Sequence, residues 1–335
     1  MNLPEGERFE RKLGAKSFLV TMEVNPPKGT DLSEIEAAVE RVKGLVDAIN
    51  VTDGSGAIMR ACSLAVAKTV LDAGVDPILQ MTCRDRNRLA LQADVLGAHI
   101  LGIRNVLLLT GDDPKAGDHP EAKPVFDITS AALMQAARGL TQGHDMAGKE
   151  LRGAPRLCLG AAADPGANDL DVEMQKFKAK IDGGAQFFQT QAVFDIETLR
   201  RFMDRARGFG NAASPAAGGT SSVGSPAAVD TPSPERIVPA RSPAGTVPAR
   251  SPVLAGLLLV KSAKMARYMN EHVWGIHVPE ELINRFERSG DARRECVAVA
   301  AQLLNELRGV ADGVHLYALG WDDLVPEILK KAGVR

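Results

Sequence analysis

Residues 17–28 read S-F-L-V-T-M-E-V-N-P-P-K, from Ser17 to Lys28, and this stretch decides how the chain is organised. It is a short apolar run rich in residues that favour strands. The Pro26-Pro27 pair stops it, because proline cannot continue a hydrogen-bonded ladder. One carboxylate, Glu23, falls near the end of the run among apolar neighbours. Its ionised form is costly in such a setting, so Glu23 can hold a proton near neutral pH, as a general acid must. The plainer reading is a strand-end glutamate paired with Lys28 or a backbone donor. The rest of the chain decides between them.

Working outward, residues 31–46 carry Leu32, Ile35, Val39, Val42 and Val46 at helical spacing. Residues 48–52 predict a second strand, and Asp53-Gly54-Ser55-Gly56 a turn. The alternation continues with a helix over 59–73, a strand over 77–83 and a helix over 86–101. A strand over 105–109 runs into Thr110-Gly111-Asp112-Asp113-Pro114. Beyond it come a helix over 128–140, a strand over 156–162, a helix over 170–182, a strand over 186–191 and a helix over 196–207. Two further strand-like runs follow, at 253–260 and 313–319. Strands alternating with helices mean βαβ units and a parallel sheet. A series of eight predicts a (β/α)8 TIM barrel rather than an open doubly wound sheet, and no G-x-G-x-x-G follows the first strand. Barrel active sites lie at the carboxyl ends of the strands. Glu23, Thr52, Thr82, Asp112 and Gln191 all fall at such ends, and that convergence raises Glu23 above the plainer reading.

The bulk composition narrows the class. The 335 residues are 45% apolar with a formal charge of −2, an ordinary globular balance with no basic stripe for nucleic acid. No apolar run approaches the ~20 residues that span a bilayer. The charged first 16 residues lack a signal core, so a cytoplasmic location is expected. The four cysteines, Cys62, Cys83, Cys158 and Cys296, are scattered without a C-x-x-C pair, and the six histidines show no metal-ligand spacing. Residues 211–252 are nearly all Ala, Ser, Pro, Gly, Thr and Val, with V-P-A-R-S-P twice, and read as a disordered insertion before the seventh strand. The expected organisation is barrel units one to six over 1–210, the insertion over 211–252, and units seven and eight with extra helices over 253–335.

T-M-E-V-N-P-P-K, N-V-T-D-G, Q-M-T-C, L-L-T-G-D-D-P, K-I-D-G-G-A-Q-F-F-Q-T-Q and V-H-L-Y-A-L occur in this order from about Phe18 to the C-terminus. Together they resemble the methylenetetrahydrofolate reductase family. The resemblance implies a flavin-binding barrel that reduces 5,10-methylenetetrahydrofolate to 5-methyltetrahydrofolate in one-carbon metabolism, with hydride from a reduced flavin. It places Glu23 as the general acid that opens the substrate's five-membered ring, and Asp112 beside the flavin ring as a fixed negative charge. Gln191 matches the glutamine that bonds the pterin. Thr52, Gln80, Thr110, Gly111, Asp112, Glu173 and Lys180 match flavin-contacting positions. His315 and Tyr317 lie in an aromatic-rich family motif and read as structural.

Three positions depart from the family pattern: Gln80 stands where many members have His, Thr110 where they have Arg, and Asp164 where an aromatic often covers the flavin. They leave open FAD against FMN, and NAD(P)H against a protein electron donor. In this the chain is more similar to the branch of acetogenic one-carbon pathways, which implies an oligomer or a subunit of a complex. The alternative is a non-catalytic flavin- or folate-binding subunit.

Overall fold

The computed structural model describes residues 3–15, 18–209, 250–273 and 275–335. Eight strands appear: β1 (Leu19–Val24), β2 (Ala48–Val51), β3 (Pro77–Thr82), β4 (Asn105–Leu109), β5 (Cys158–Ala163), β6 (Phe187–Ala192), β7 (Val253–Leu258) and β8 (Gly313–Tyr317). They pair in chain order, all parallel, and β1 closes on β8 with Thr21 opposite His315. This is a (β/α)8 barrel, as the alternation predicts.

Around the strands lie α1 (Phe9–Lys12), α2 (Ser33–Val42), α3 (Ser63–Asp72), α4 (Arg88–Ile100), α5 (Ser130–Thr141) and α6 (Leu170–Asp182). The series continues with α7 (Ile196–Ala206), α8 (Ala263–His272), α9 (Glu280–Arg288), α10 (Ala292–Leu307) and α11 (Val325–Lys331). Side chains start several of them. Asn87, Thr129, Asp169, Asp195, Ser262 and Asp291 each accept a first-turn backbone N–H, which satisfies donors the helix leaves unpaired. Among the described residues no helix is long and apolar enough to cross a membrane.

Two local expectations change. The helix predicted from Met59 begins at Ser63, because Gly54 and Gly56 adopt φ of 61° and 67° and the Met59 N–H is drawn to Asp118 instead. The proposed insertion at 211–252 lies mostly outside the described residues, but its last three residues are described and fastened to the barrel ahead of β7. Arg250 pairs with Asp312 at 2.5 Å, and the buried Ser251 hydroxyl donates to the Ala185 carbonyl at 2.8 Å.

One end of the lumen is shut. Phe9, Leu13, Leu19, Ala48, Ile78, Leu107, Cys158, Phe187 and Leu254 form a buried apolar cluster inside the barrel. The ring of Phe9 meets that of Phe187 edge-on at 5.2 Å between centroids. A Cβ on Gly160 would stand 2.2 Å from the Phe187 ring, so only glycine leaves room for it. The plug is tied by Asp76, which takes the Arg8 guanidinium at 2.9 Å, the Phe9 N–H at 2.8 Å and the Asn105 amide at 2.9 Å.

Candidate active site

Successive residues of a strand face opposite sides, so the floor cluster fixes which side of each strand faces the lumen. On β1 these are Leu19, Thr21 and Glu23; on β2, Ala48 and Asn50, with Thr52 just beyond. On β3 they are Ile78, Gln80 and Thr82; on β6, Phe187, Gln189 and Gln191; on β8, Gly313, His315 and Tyr317. Each row turns from apolar or small to polar toward its carboxyl end. Glu23 is the only carboxylate among the lumen-facing strand positions.

The Glu23 side chain is 9% exposed, and its Oε2 lies 3.7 Å from His315 Nε2. Lys28, the sequence's other candidate partner, instead pairs with Asp118 at 2.5 Å. His315 Nδ1 lies 2.9 Å from Thr21 Oγ1 and 3.3 Å from Gln189 Nε2. Gln189 and Asn50 exchange amide hydrogen bonds of 2.6 and 3.0 Å across the lumen. The Tyr317 ring meets that of His315 edge-on, and its hydroxyl donates to the Thr190 carbonyl at 2.8 Å. Burial, reinforced by the Glu23 charge, pushes the Tyr317 phenol far up, so Tyr317 remains a donor.

The rim beyond these strand ends is built from loops clipped together. Asp112 is exposed and accepts the Gly56 N–H at 2.8 Å, while Asp118 accepts the Met59 N–H at 2.9 Å and holds Lys28. The connections after β1, β2 and β4 therefore meet at one place. Thr52 donates to Asn25 at 2.8 Å, and Thr110 to Ser130 at 3.2 Å. Gly111 has φ of 94°, and a Cβ there would stand 2.9 Å from that of Thr82. The β4 turn thus passes directly against the end of β3, which a side chain would prevent. Thr82 is itself held by Asp53, which takes its N–H at 2.8 Å, its hydroxyl at 3.0 Å and the Arg86 guanidinium.

Glu173 and Lys180 come together on one face of α6, but both are engaged internally. Glu173 accepts the Asp164 N–H at 3.0 Å, and Lys180 donates to the Ala162 carbonyl at 2.7 Å. Burial pulls the Lys180 ammonium down, with Glu173 opposing. Burial pushes the Asp164 carboxyl up against the Gly166 N–H, and Glu173 adds to the rise. Asp164 Oδ2 is buried without a hydrogen-bond partner. The two α6 residues thus secure the β5–α6 connection.

A flavin ring carries donors and acceptors along one edge. Gln80 faces the lumen at 8% exposure, with no side-chain hydrogen bond among the described residues; Gln191 stands exposed at the end of β6. With Asp112 and the Gly111 cradle, these groups fit a polar ring system, whereas Lys180 is already committed to a carbonyl.

Sequence reasoning missed Thr21, Asn50 and Gln189, and took His315 as structural. The signal available was the two-residue period that puts Thr21 behind Glu23 and His315 behind Tyr317. A separate cavity of about 760 Å³, lined by Pro165, Phe194, Arg201, Asn270 and His277 among others, opens between the β5, β6 and β7 connections; Glu23 and Asp112 do not line it.

The sequence pattern of the family described as Methylenetetrahydrofolate reductase matches residues 8–218 and 243–333. Methylenetetrahydrofolate reductase 1 of Schizosaccharomyces pombe is 28% identical over 193 residues, covering 55% of this chain and 30% of that protein. The probable methylenetetrahydrofolate reductase (NADPH) of Caenorhabditis elegans is 22% identical over 346 residues, 98% of this chain and 44% of that protein. The chain therefore spans less than half the length of these two relatives. EDTA monooxygenase from Chelativorans sp. superposes with a TM-score of 0.51 at 12% identity, over 96% of this chain and 95% of that one, a likeness of fold alone.

Proposed function

Because the chain belongs to the methylenetetrahydrofolate reductase family, we propose that it reduces 5,10-methylenetetrahydrofolate to 5-methyltetrahydrofolate, with hydride supplied by a bound reduced flavin. The observation that carries this reading is Glu23, the single carboxylate among the described lumen-facing strand positions, nearly buried and placed where the strands open. From there it delivers a proton to the ring nitrogen that must leave, and the C–N bond breaks with its electron pair on that nitrogen. A cationic carbon results, and the fixed charge of Asp112 stabilises positive charge at the same mouth. Gln191, exposed at the end of β6, offers an amide to the pterin, whose edge alternates donors and acceptors. Gln80, Thr110, Gly111 and Asp112 would hold the flavin ring, FAD or FMN, while Thr52, Glu173 and Lys180 support it from behind. Electrons come from NAD(P)H or a protein donor, and the reaction is cytoplasmic.

Glu23→Gln tests the reading, since it keeps size and hydrogen bonding but carries no acid proton. With pre-reduced protein mixed against substrate by stopped flow, reoxidation should slow by about 10²–10⁴-fold, while chemical reduction of the flavin is unchanged. Parental reoxidation in the variant would make Glu23 a structural carboxylate. Binding of folate without any turnover by the parent would make the chain a binding subunit.

A further inference from the structure

Four polar side chains are buried behind Glu23, where apolar ones would fill the lumen as they do at the floor. Thr21, Asn50, Gln189 and His315 are 0, 0, 3 and 1% exposed. Groups so placed are costly unless paired, and here the pairing dictates a tautomer. Gln189 Oε1 accepts from Asn50 at 2.6 Å, which leaves Gln189 Nε2 as the donor end. Its two hydrogens go to Asn50 Oδ1 and Thr21 Oγ1, each at 3.0 Å, and His315 Nδ1 lies farther off at 3.3 Å. Thr21 Oγ1, taking this donor, has its own hydrogen to give. His315 Nδ1 at 2.9 Å is a nearer acceptor than the Val314 carbonyl at 3.4 Å. The Thr21 hydroxyl thus gives its hydrogen to Nδ1, and the ring hydrogen sits on Nε2, the atom 3.7 Å from Glu23 Oε2.

We propose that His315 is a positioning residue for Glu23, its Nε2–H holding one carboxyl oxygen so that the other presents the acid proton to the substrate. The proposal rests on the reductase reading. The 3.7 Å separation is longer than a hydrogen bond and closes when substrate fills the mouth, as catalytic contacts commonly tighten in the complex. His315 neither gains nor loses a proton; the acid proton passes from Glu23 to the leaving nitrogen. A neutral donor is required, since an imidazolium beside Glu23 would favour the ionised carboxylate and remove the acid. Among the described residues, the titratable groups facing the ring are Glu23 from β1 and Tyr317 from β8 itself; β2 and β6 present the amides Asn50 and Gln189, and β7 presents Gly256.

The experiment joins two measurements on the full-length flavin-loaded protein. In ¹⁵N NMR of labelled imidazoles, His315 should be the Nε2–H tautomer; an Nδ1–H ring overturns the proposal without any variant. In stopped flow, His315→Ala should slow substrate reduction by up to about 10²-fold with little change in KM. It should also move the alkaline limb of the rate profile upward, because the ionised carboxylate loses a donor. His315→Gln, which keeps an N–H near the Nε2 position, should recover much of both. A folded His315→Ala protein with the parental rate and limb overturns the proposal. Should the parent fail to reduce the substrate, the reductase reading falls, and the tautomer still decides whether His315 faces Glu23 as a donor. Where Glu23→Gln is inactive but His315→Ala is not, only the positioning role fails.

Discussion

The floor and the mouth of this barrel are built by the same strands with the same two-residue alternation, yet they hold opposite materials. At the floor, Leu19, Ile78, Leu107, Phe187 and Leu254 close around Phe9 with no polar group among them. Further along the same rows, Thr21, Asn50, Gln189 and His315 form a buried hydrogen-bonded set, with Glu23 above it. Apolar packing at the floor is non-directional and serves stability. The polar set is directional, and every member must be satisfied, so it costs stability unless it specifies a geometry. One end holds the barrel closed; the other sets one histidine beside one glutamate.

The largest stability effect should come from the floor. Phe9→Ala empties the plug beneath Phe187 and should destabilise the fold by about 3–5 kcal/mol, read as a lower urea midpoint. Activity per folded molecule should stay at the parental value. A matching loss of activity in the folded fraction would break the division between the two ends.

An intermediate effect is expected at the boundary between them. Gln189→Ala leaves Asn50 and Thr21 each short of a partner, and should cost about 1–3 kcal/mol. Unlike the floor change, it should also mix the His315 tautomers seen by ¹⁵N NMR. An unchanged tautomer would mean that Thr21 alone holds the ring.

The smallest effect lies on the rim. Burial raises the Asp164 carboxyl above its ordinary value of 3.8, and its Oδ2 is unpartnered. A raised carboxyl penalises the folded state wherever the group is ionised, and the penalty disappears as pH falls through the range below the folded value. Asp164→Asn should therefore be the more stable protein at pH 7, by less than about 1 kcal/mol after solvent screening. The gap between the two melting temperatures should narrow as pH approaches 4. A gap that widens on acidification would show that Asp164 is paired with Lys176 or Lys180 after all.

Most of the barrel was legible along the chain because its determinants are local. Alternating strand and helix patterns placed all eight strands within a few residues, and Pro26 and Pro27 marked where the first one stops. Glu23 was legible for the same reason, as an acid among apolar neighbours within one strand. The motifs shared with the methylenetetrahydrofolate reductase family offered Asp112 and Gln191 as candidates without any coordinates. What the chain order could not convey was which side chains meet across the lumen. Thr21 and His315 are 294 residues apart, and Asn50 and Gln189 are 139 apart. Only closure of β1 on β8 sets the register that puts His315 Nε2 in front of Glu23. Likewise, the match of Lys180 to a flavin-contacting position says nothing of the Ala162 carbonyl, to which folding brings its ammonium. Periodicity declares which way a side chain points; closure of the sheet decides what it finds there.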